Sequence, residues 1–290
     1  MNKTAPDSFS ASRRRQGRRR GAACIALCAV FSGLASAPLA AAPVLSVRIA
    51  FLGPLESPLE SDSHAGASQG IAEANAQGKL LGLEYRLVEA KDMPTALAAD
   101  VTAIVVAAEA AALPPLAAAA HGTPLLNVSA EDDSLRGLCI PNLLHTIPSH
   151  AMREDALKQW RQQHAASKAQ AQAWDGNAEL YAGTQLNKRY SDKVGRAMND
   201  RAWAAWAAVK LVADTVARLH SADPTALLNA LRHSLAFDGQ KGVDMSFRDN
   251  GQLRQPLLLL EDGKIVGEAP VRGVAKNGDL DSLGATSCIK

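Results

Sequence analysis

The sequence predicts an α/β fold in which a parallel β-sheet is flanked by helices, and two observations support this prediction. Strand patterns and helix patterns alternate four times in the first half of the chain, with short links, as in parallel sheets that carry helices on both faces. Aromatic residues make up only 4% of the chain while alanine is abundant. This composition favours a helix-rich α/β protein over a β-sandwich.

Four strands are predicted in the first half of the chain. The second alternates between apolar and polar residues, and the others are mostly apolar, as expected for buried strands. Helices are predicted at about 65–77 and 113–121, each followed by a glycine. The strands are expected near 46–52, 83–89, 101–107 and 124–128.

The second half of the chain begins with helix patterns and ends with strand patterns. Ser149 is placed to cap a helix that runs through Trp160. Turns at Asn250-Gly251 and Asp262-Gly263 favour hairpins. Further helices are predicted at 179–194, 201–219 and from Pro224, and strands at 242–247, 256–260 and 264–267. We expect the C-terminal β-hairpin to join the edge of the parallel sheet or to lie beside it.

Residues 1–42 have the pattern of an export signal peptide. A basic block from Arg13 to Arg20 precedes an apolar run from Ala22 to Ala37, which is too short to span a bilayer as a helix. Ala40-Ala41-Ala42 then provides the small residues that a signal peptidase requires. We therefore expect a processed, periplasmic protein without a membrane span. The alternatives are a membrane anchor and a wrongly assigned start.

The positive charge of the chain resides in this predicted signal. The whole sequence has 31 basic and 29 acidic residues, a formal net charge of +2. Residues 1–42 hold seven of the basic residues and one acid, so the remaining 24 basic and 28 acidic residues give −4. Nothing in this remainder indicates binding to nucleic acid or to an anionic membrane surface.

Cys139 and Cys288 remain after removal of the predicted signal, which contains the other two cysteines. In an oxidising compartment such an isolated pair is expected to form a disulfide. The alternative is a redox or metal-binding pair, although the sequence has no CxxC motif and no cluster of histidines to support it.

Three segments carry a resemblance to a known family. Residues 47–54, 82–88 and 124–130, which include the first, second and fourth predicted strands, are similar to the corresponding strands of type I periplasmic substrate-binding proteins of branched-chain amino acid ABC transporters. This resemblance implies a non-enzymatic protein built from α/β lobes, which captures a small solute and delivers it to a permease.

Three further segments are similar to one subgroup of that family. Residues 143–152, 204–209 and 251–259 resemble members associated with quinoprotein (PQQ-dependent) alcohol dehydrogenase systems, which also carry cysteines like Cys139 and Cys288. The similarity implies a link to alcohol oxidation. PQQ or an alcohol-pathway metabolite would be the solute, and an ABC permease or a periplasmic dehydrogenase would be the partner.

The chain departs from the family in its number of lobes. Members have two α/β lobes, and the second takes over a hundred residues, whereas only residues 161–173 separate Trp160 from Trp174. A βαβ unit does not fit in that segment. We expect 43–160 to form the first lobe, 161–178 to be a linker that replaces the second lobe, and 179–290 to complete the single lobe. A damaged gene or a wrong gene assignment would give the same sequence.

The loops that leave the strands are the predicted solute site, because open parallel sheets bind ligands at the carboxyl ends of their strands. Family members hold the α-carboxylate and α-amino group of an amino acid with hydroxyls and backbone N–H groups at two of these loops. Here only Ser129 fits that role, so specificity for amino acids is not expected, and the loops could equally be simple connections. The predicted residues are Glu56, Ser57, Ala108, Glu109, Ser129, Ala130 and Glu131.

Three other groups of residues could form sites, but each favours a structural role. The acids at 131–133 could bind a cation, although acids are also favoured at helix N-termini. His145 and His150 lack a third metal ligand at suitable spacing. Trp203 and Trp206 could stack on a planar cofactor, but their spacing fits a helix that faces a core. Because no catalytic motif is found, the protein is not expected to be an enzyme.

Two functions therefore remain open from the sequence. The first is a solute-binding component of an ABC-type transport system linked to PQQ-dependent alcohol oxidation. The second is a one-lobed remnant that binds a dehydrogenase or another periplasmic partner without capturing a solute. With one wall of the pocket missing, any site should be shallow, and its dissociation constant for free amino acids should be on the order of millimolar.

Overall fold

A five-stranded parallel sheet forms the centre of the protein. The structure, a computed structural model, describes residues 44–53, 58–276 and 278–288, so the predicted signal peptide lies outside the described residues. The sheet has the order β2-β1-β3-β4-β5 and is flanked by helices, which confirms the predicted fold class. Its strands are β1 (Leu45–Leu52), β2 (Leu83–Ala90), β3 (Ala103–Val106), β4 (Leu125–Asn127) and β5 (Leu143–His145).

Helices cover both faces of this sheet. Along β1, Val47, Ile49 and Phe51 pack into the apolar core that contains α7, while Ala50 and Leu52 pack into the core beneath α2 and α3. This period of two is the alternation that a strand buried on both faces requires. The helices are α1 (Pro58–Gly78), α2 (Met93–Ala98), α3 (Leu113–Ala119), α4 (Asp133–Gly137), α5 (His150–Gln163), α6 (Gly183–Val194), α7 (Asp200–Leu219) and α8 (Pro224–His233).

A second sheet is small and antiparallel. It consists of β6 (Gln170–Gln172), β7 (Leu257–Glu261) and β8 (Lys264–Ala269), in the order β6-β7-β8. β7 and β8 form the predicted hairpin around Asp262-Gly263, but β7 pairs with β6 rather than with the parallel sheet. The segment 161–178, which we predicted to be a linker that replaces the second lobe, thus contains the short strand β6. Alanine and glutamine are poor strand formers, and pairing with β7 makes this segment a strand.

The other differences from the predicted elements concern short segments. The strand β5 and the helices α2 and α4 were not predicted, because three to six residues show too little periodicity to identify an element. Residues 242–247 were predicted to be a strand, but only Phe247 forms an isolated bridge, to Leu253. Gly242 has a φ of +68°, which turns the chain away from the extended conformation.

Candidate functional site

A cleft lies at the carboxyl ends of β3 and β4. Its volume is about 350 Å³, and its walls come from the loops after these two strands and from the first turns of α5 and α7. A larger cavity of about 820 Å³, at the ends of β1 and β2, shares Ala108 with it. The cleft is lined by Ala108, Glu109, Ser129, Ala130, Glu131, Asp132, His150 and Arg201.

Five of the seven predicted site residues meet in this cleft, two from the loop after β3 and three from the loop after β4. The other two, Glu56 and Ser57, lie outside the described residues. The carboxyl ends of adjacent parallel strands reach the same edge of a sheet, and this geometry brings the two loops together.

The hydroxyl of Ser129 holds the two loops together. Its Oγ accepts a hydrogen bond from the backbone N–H of Ala108 and donates one to the carbonyl oxygen of the same residue, each 3.0 Å long. Ser129 is also largely buried, with 7% of its surface exposed. Its hydroxyl is therefore engaged within the protein, and a ligand-binding role for Ser129 stays a prediction.

The backbone N–H groups of the same loop are bonded to Asn127. The Oδ1 atom of this buried residue accepts hydrogen bonds from the N–H groups of Ser129 and Ala130, at 3.1 and 2.9 Å. Its Nδ2 atom donates to the carbonyl oxygen of Ala130 and lies 3.0 Å from Nδ1 of His145. Burial first, and the charge of Arg136 second, lower the pKa of His145 well below 6.5, so its neutral ring accepts this bond.

Arg136 fixes the path of the chain after β4. Its NH1 group donates to the carbonyl oxygens of Ala130 and Asp132, and its NH2 group donates to that of Ile147, all within 3.0 Å. Nε donates to Oε1 of Gln252 at 2.9 Å. Burial lowers the pKa of Arg136 to about 10, so the guanidinium stays charged at neutral pH.

A partly buried ion-pair network joins the cleft to α5 and α7. Arg153 of α5 binds both carboxylate oxygens of Glu131, at 2.9 and 3.0 Å, and Asp200 at the start of α7, at 2.7 Å. Burial lowers the pKa of Arg153, but the charges of Asp200 and Glu131 outweigh it, and the net shift is upward. Glu131 thus shares the charge of Arg153 with Asp200, so its carboxylate is already paired within the protein.

Three charged side chains in the cleft have no partner among the described residues. They are Glu109, Asp132 and Arg201, and they form neither a hydrogen bond nor an ion pair there. Sequence reasoning missed Arg201, because its place beside the β3 and β4 loops depends on how α7 packs on the sheet. One signal was available: Arg201 occupies the first turn of a long helix, where the helix dipole disfavours a cation.

The remaining candidates have structural roles. Trp203 and Trp206 are buried in the core, and their ring N–H groups donate to the carbonyl oxygen of Gly239 and to Glu73. Asp133 accepts a hydrogen bond from the N–H of Ala151 at the start of α5. Within the described part of the chain, no group of three or more histidines, cysteines or acids could hold a metal ion.

Cys139 and Cys288 form the predicted disulfide. Their Cα atoms are 5.8 Å apart, within the usual range for such a bond. The bridge ties the C-terminal segment to the end of α4. Among the helices of the described residues, none is long and apolar enough to cross a membrane.

Comparison with solved structures finds similar folds at low sequence identity. The isoleucine complex of the branched-chain amino acid transporter substrate binding protein LivJ from Streptococcus pneumoniae is 14% identical, with a TM-score of 0.62, and the match covers 77% of this chain and 98% of that chain. A branched-chain amino acid ABC transporter periplasmic ligand-binding protein from Burkholderia xenovorans is 13% identical, with a TM-score of 0.60, over 77% of this chain and 95% of that one.

A third similar structure has a different kind of bound molecule. It is a solute binding protein of an ABC transporter from Rhodopseudomonas palustris in complex with 3,4-dihydroxybenzoic acid, 10% identical, with a TM-score of 0.61, over 77% of this chain and 94% of that one. No family model and no curated protein matches the chain. At such low identity the likeness concerns the fold alone, and the protein has the fold of the type I periplasmic binding proteins.

Proposed function

We propose that the protein is a periplasmic solute-binding component of an ABC-type transport system, without catalytic activity. The observation that carries this proposal is the cleft at the carboxyl ends of β3 and β4, the position at which open parallel sheets bind ligands. Solved structures of similar fold include solute-binding proteins of ABC transporters. The export pattern of residues 1–42 supports the periplasmic location.

The proposal includes a single lobe with an open cleft. Between Trp160 and Trp174 the chain completes α5 and adds only the three-residue strand β6. The only parallel sheet of the described residues is the five-stranded one, and the second sheet consists of three short antiparallel strands. A cleft with one wall cannot enclose a solute by hinge closure, so its affinity should be low.

The proposed link to PQQ-dependent alcohol oxidation rests on sequence resemblance alone. The three segments that carry the resemblance contact one another inside the protein: the hydroxyl of Thr146 donates to the carbonyl oxygen of Ala204, and Gln255 donates to that of Thr146, at 2.9 and 2.7 Å. These contacts stabilise the interior and involve no cleft residue. PQQ, an alcohol-pathway metabolite and a dehydrogenase partner therefore remain proposals.

A thermal-shift screen of the processed chain tests the proposed function. The solutes are PQQ, isoleucine, 3,4-dihydroxybenzoate and short alcohols and acids, each at high millimolar concentration where solubility allows. A solute that binds only the native state must raise the midpoint of unfolding. A rise that grows with solute concentration is expected for at least one of them. If none changes the midpoint, solute binding is contradicted, and the partner-binding alternative is the one to pursue.

A further inference from the structure

Arg201 differs from the other arginines around the cleft. Arg136 and Arg153 are bonded on several sides and hold the loops in place. Arg201 lines the same cleft and is half-buried, yet its guanidinium makes no hydrogen bond or ion pair with any residue in the described ranges. Within the described part of the chain, Arg201 is therefore a positively charged hydrogen-bond donor at the cleft that has no partner.

The helix dipole disfavours a cation at this position. Arg201 is the second residue of α7, and the partial positive charge at a helix N-terminus repels a guanidinium. The two preceding residues are of the types that helix starts prefer. Asn199 caps the helix, and the acidic Asp200 is its first residue. Because an unpaired arginine at a helix start does not stabilise the native state, a role of Arg201 in ligand binding would explain its presence there.

Four hydrogen-bond donors of the two loops are already engaged within the protein. The hydroxyl of Ser129 and the N–H of Ala108 bind each other, and the N–H groups of Ser129 and Ala130 bind Asn127. Among the described residues that line the cleft, Arg201 is the arginine whose guanidinium has no partner, and a solute with an anionic group would meet it there. Two acids without partners, Glu109 and Asp132, line the same cleft and disfavour a second negative charge on the solute.

We propose that Arg201 determines the specificity of the cleft by binding the carboxylate of a small monocarboxylate solute. The planar guanidinium pairs with a carboxylate through two parallel N–H···O bonds, which a lysine or an amide cannot reproduce. The proposal rests on the proposed solute-binding function and names the chemical group by which the solute is recognised. In this protein, an ion pair with Arg201 would hold the carboxylate of the solute in place of hydroxyl and backbone N–H groups.

The test compares carboxylates with their neutral amides. Isoleucine and isoleucinamide, and 3,4-dihydroxybenzoate and 3,4-dihydroxybenzamide, are titrated into the ¹⁵N-labelled processed chain and followed by NMR. The side-chain Nε–H resonance of Arg201 is expected to shift with the carboxylates and not with the amides. R201Q should weaken carboxylate binding by about 10- to 100-fold, the usual effect of losing hydrogen bonds to a charged group. R201K should retain part of the affinity.

Two controls separate recognition from folding and from overall charge. R161Q removes the same charge from an exposed position in the last turn of α5 and should leave binding unchanged. R201Q should keep the midpoint of thermal unfolding, because Arg201 has no partner to lose. Equal affinity of R201Q and the unaltered chain, or equal binding of acids and amides, overturns the role of Arg201 while leaving solute binding intact. If no probe shifts any cleft resonance, both proposals fail.

Discussion

Asn127 and Arg136 shape the cleft by bonding the polar groups that a ligand would otherwise meet. Asn127 binds the N–H groups of the β4 loop, and Arg136 binds two of its carbonyl oxygens. Both side chains are buried, so their hydrogen bonds are formed away from water and hold the loop in one conformation. At the residue scale, the β4 loop is a hydrogen-bonded frame that holds Asp132 in the same cleft as Glu109 of the β3 loop and Arg201 of α7.

Protonation of His145 should weaken this frame. The folded-state pKa of His145 is well below 6.5, whereas the unfolded chain takes up the proton near pH 6.5. Since the unfolded state then binds more protons, the free energy of unfolding should fall as the pH drops below about 6.5, by up to about 1.4 kcal/mol per pH unit. Urea denaturation between pH 7 and about 4.5 measures this slope.

Two histidine variants identify the source of that slope. H145Q should have a shallower decrease of stability with acid than the unaltered chain, even if it is less stable at pH 7. H150Q changes an exposed histidine at the start of α5 and should retain the full slope. Equal slopes for H145Q and H150Q would contradict the assignment to His145.

At the scale of elements, the contact between α1 and α7 places Arg201 at the cleft. Gly66 lies in α1 where a Cβ atom would overlap the carbonyl oxygen of Ala202, one residue after Arg201. At Gly70, one turn later, an added Cβ atom would lie 2.8 Å from the Cβ atom of Val209. Only glycine allows the two helix backbones to approach this closely, so the small residues of α1 determine where the first turn of α7 lies.

Substitution of Gly66 should therefore be destabilising. Without tertiary contacts, glycine to alanine in a helix would stabilise by about 0.5–1 kcal/mol. Here the added methyl group meets rigid backbone, and G66A should lower the free energy of unfolding by about 1–3 kcal/mol. Urea denaturation checks the sign, and an increase in stability would show that the helices are not in this contact.

The elements that the sequence predicted well are those with long, unambiguous patterns. β1 is a mostly apolar run of eight residues, and α7 repeats apolar residues over twenty, so their place in the core follows from these patterns. β6 has three residues and becomes a strand only by pairing with β7. Likewise, the loops of the cleft followed from the ends of the strands, whereas Arg201 reaches the cleft through the packing of a helix distant in sequence.

At the scale of the whole molecule, the disulfide joins the middle of the chain to its C-terminal segment. Cys139 and Cys288 are 149 positions apart, and the chain-entropy model gives a loop of that length roughly 4–5 kcal/mol as an upper value. Nearby, Arg248 binds Asp281 at 2.8 Å and Asn250 donates to the carbonyl oxygen of Ala285. The C-terminal segment is thus held both covalently and by polar contacts.

Removal of the disulfide should reduce stability without abolishing the fold. The double variant C139S/C288S is expected to lose about 2–5 kcal/mol of unfolding free energy, as is typical for a native disulfide. Reduction of the unaltered chain with dithiothreitol should cause a comparable loss. A midpoint of urea unfolding that is unaffected by both treatments would contradict a stabilising role for the bridge.

We propose that the single lobe offers an open cleft that binds a solute weakly. Calorimetric titration of leucine into the purified, processed chain tests it most directly, because a leucine site closed on all sides would bind much more tightly than an open one. We predict a dissociation constant on the order of millimolar. Binding at micromolar concentrations or tighter would contradict the account, since it would require a closed pocket formed by the single lobe or by a second copy of the chain.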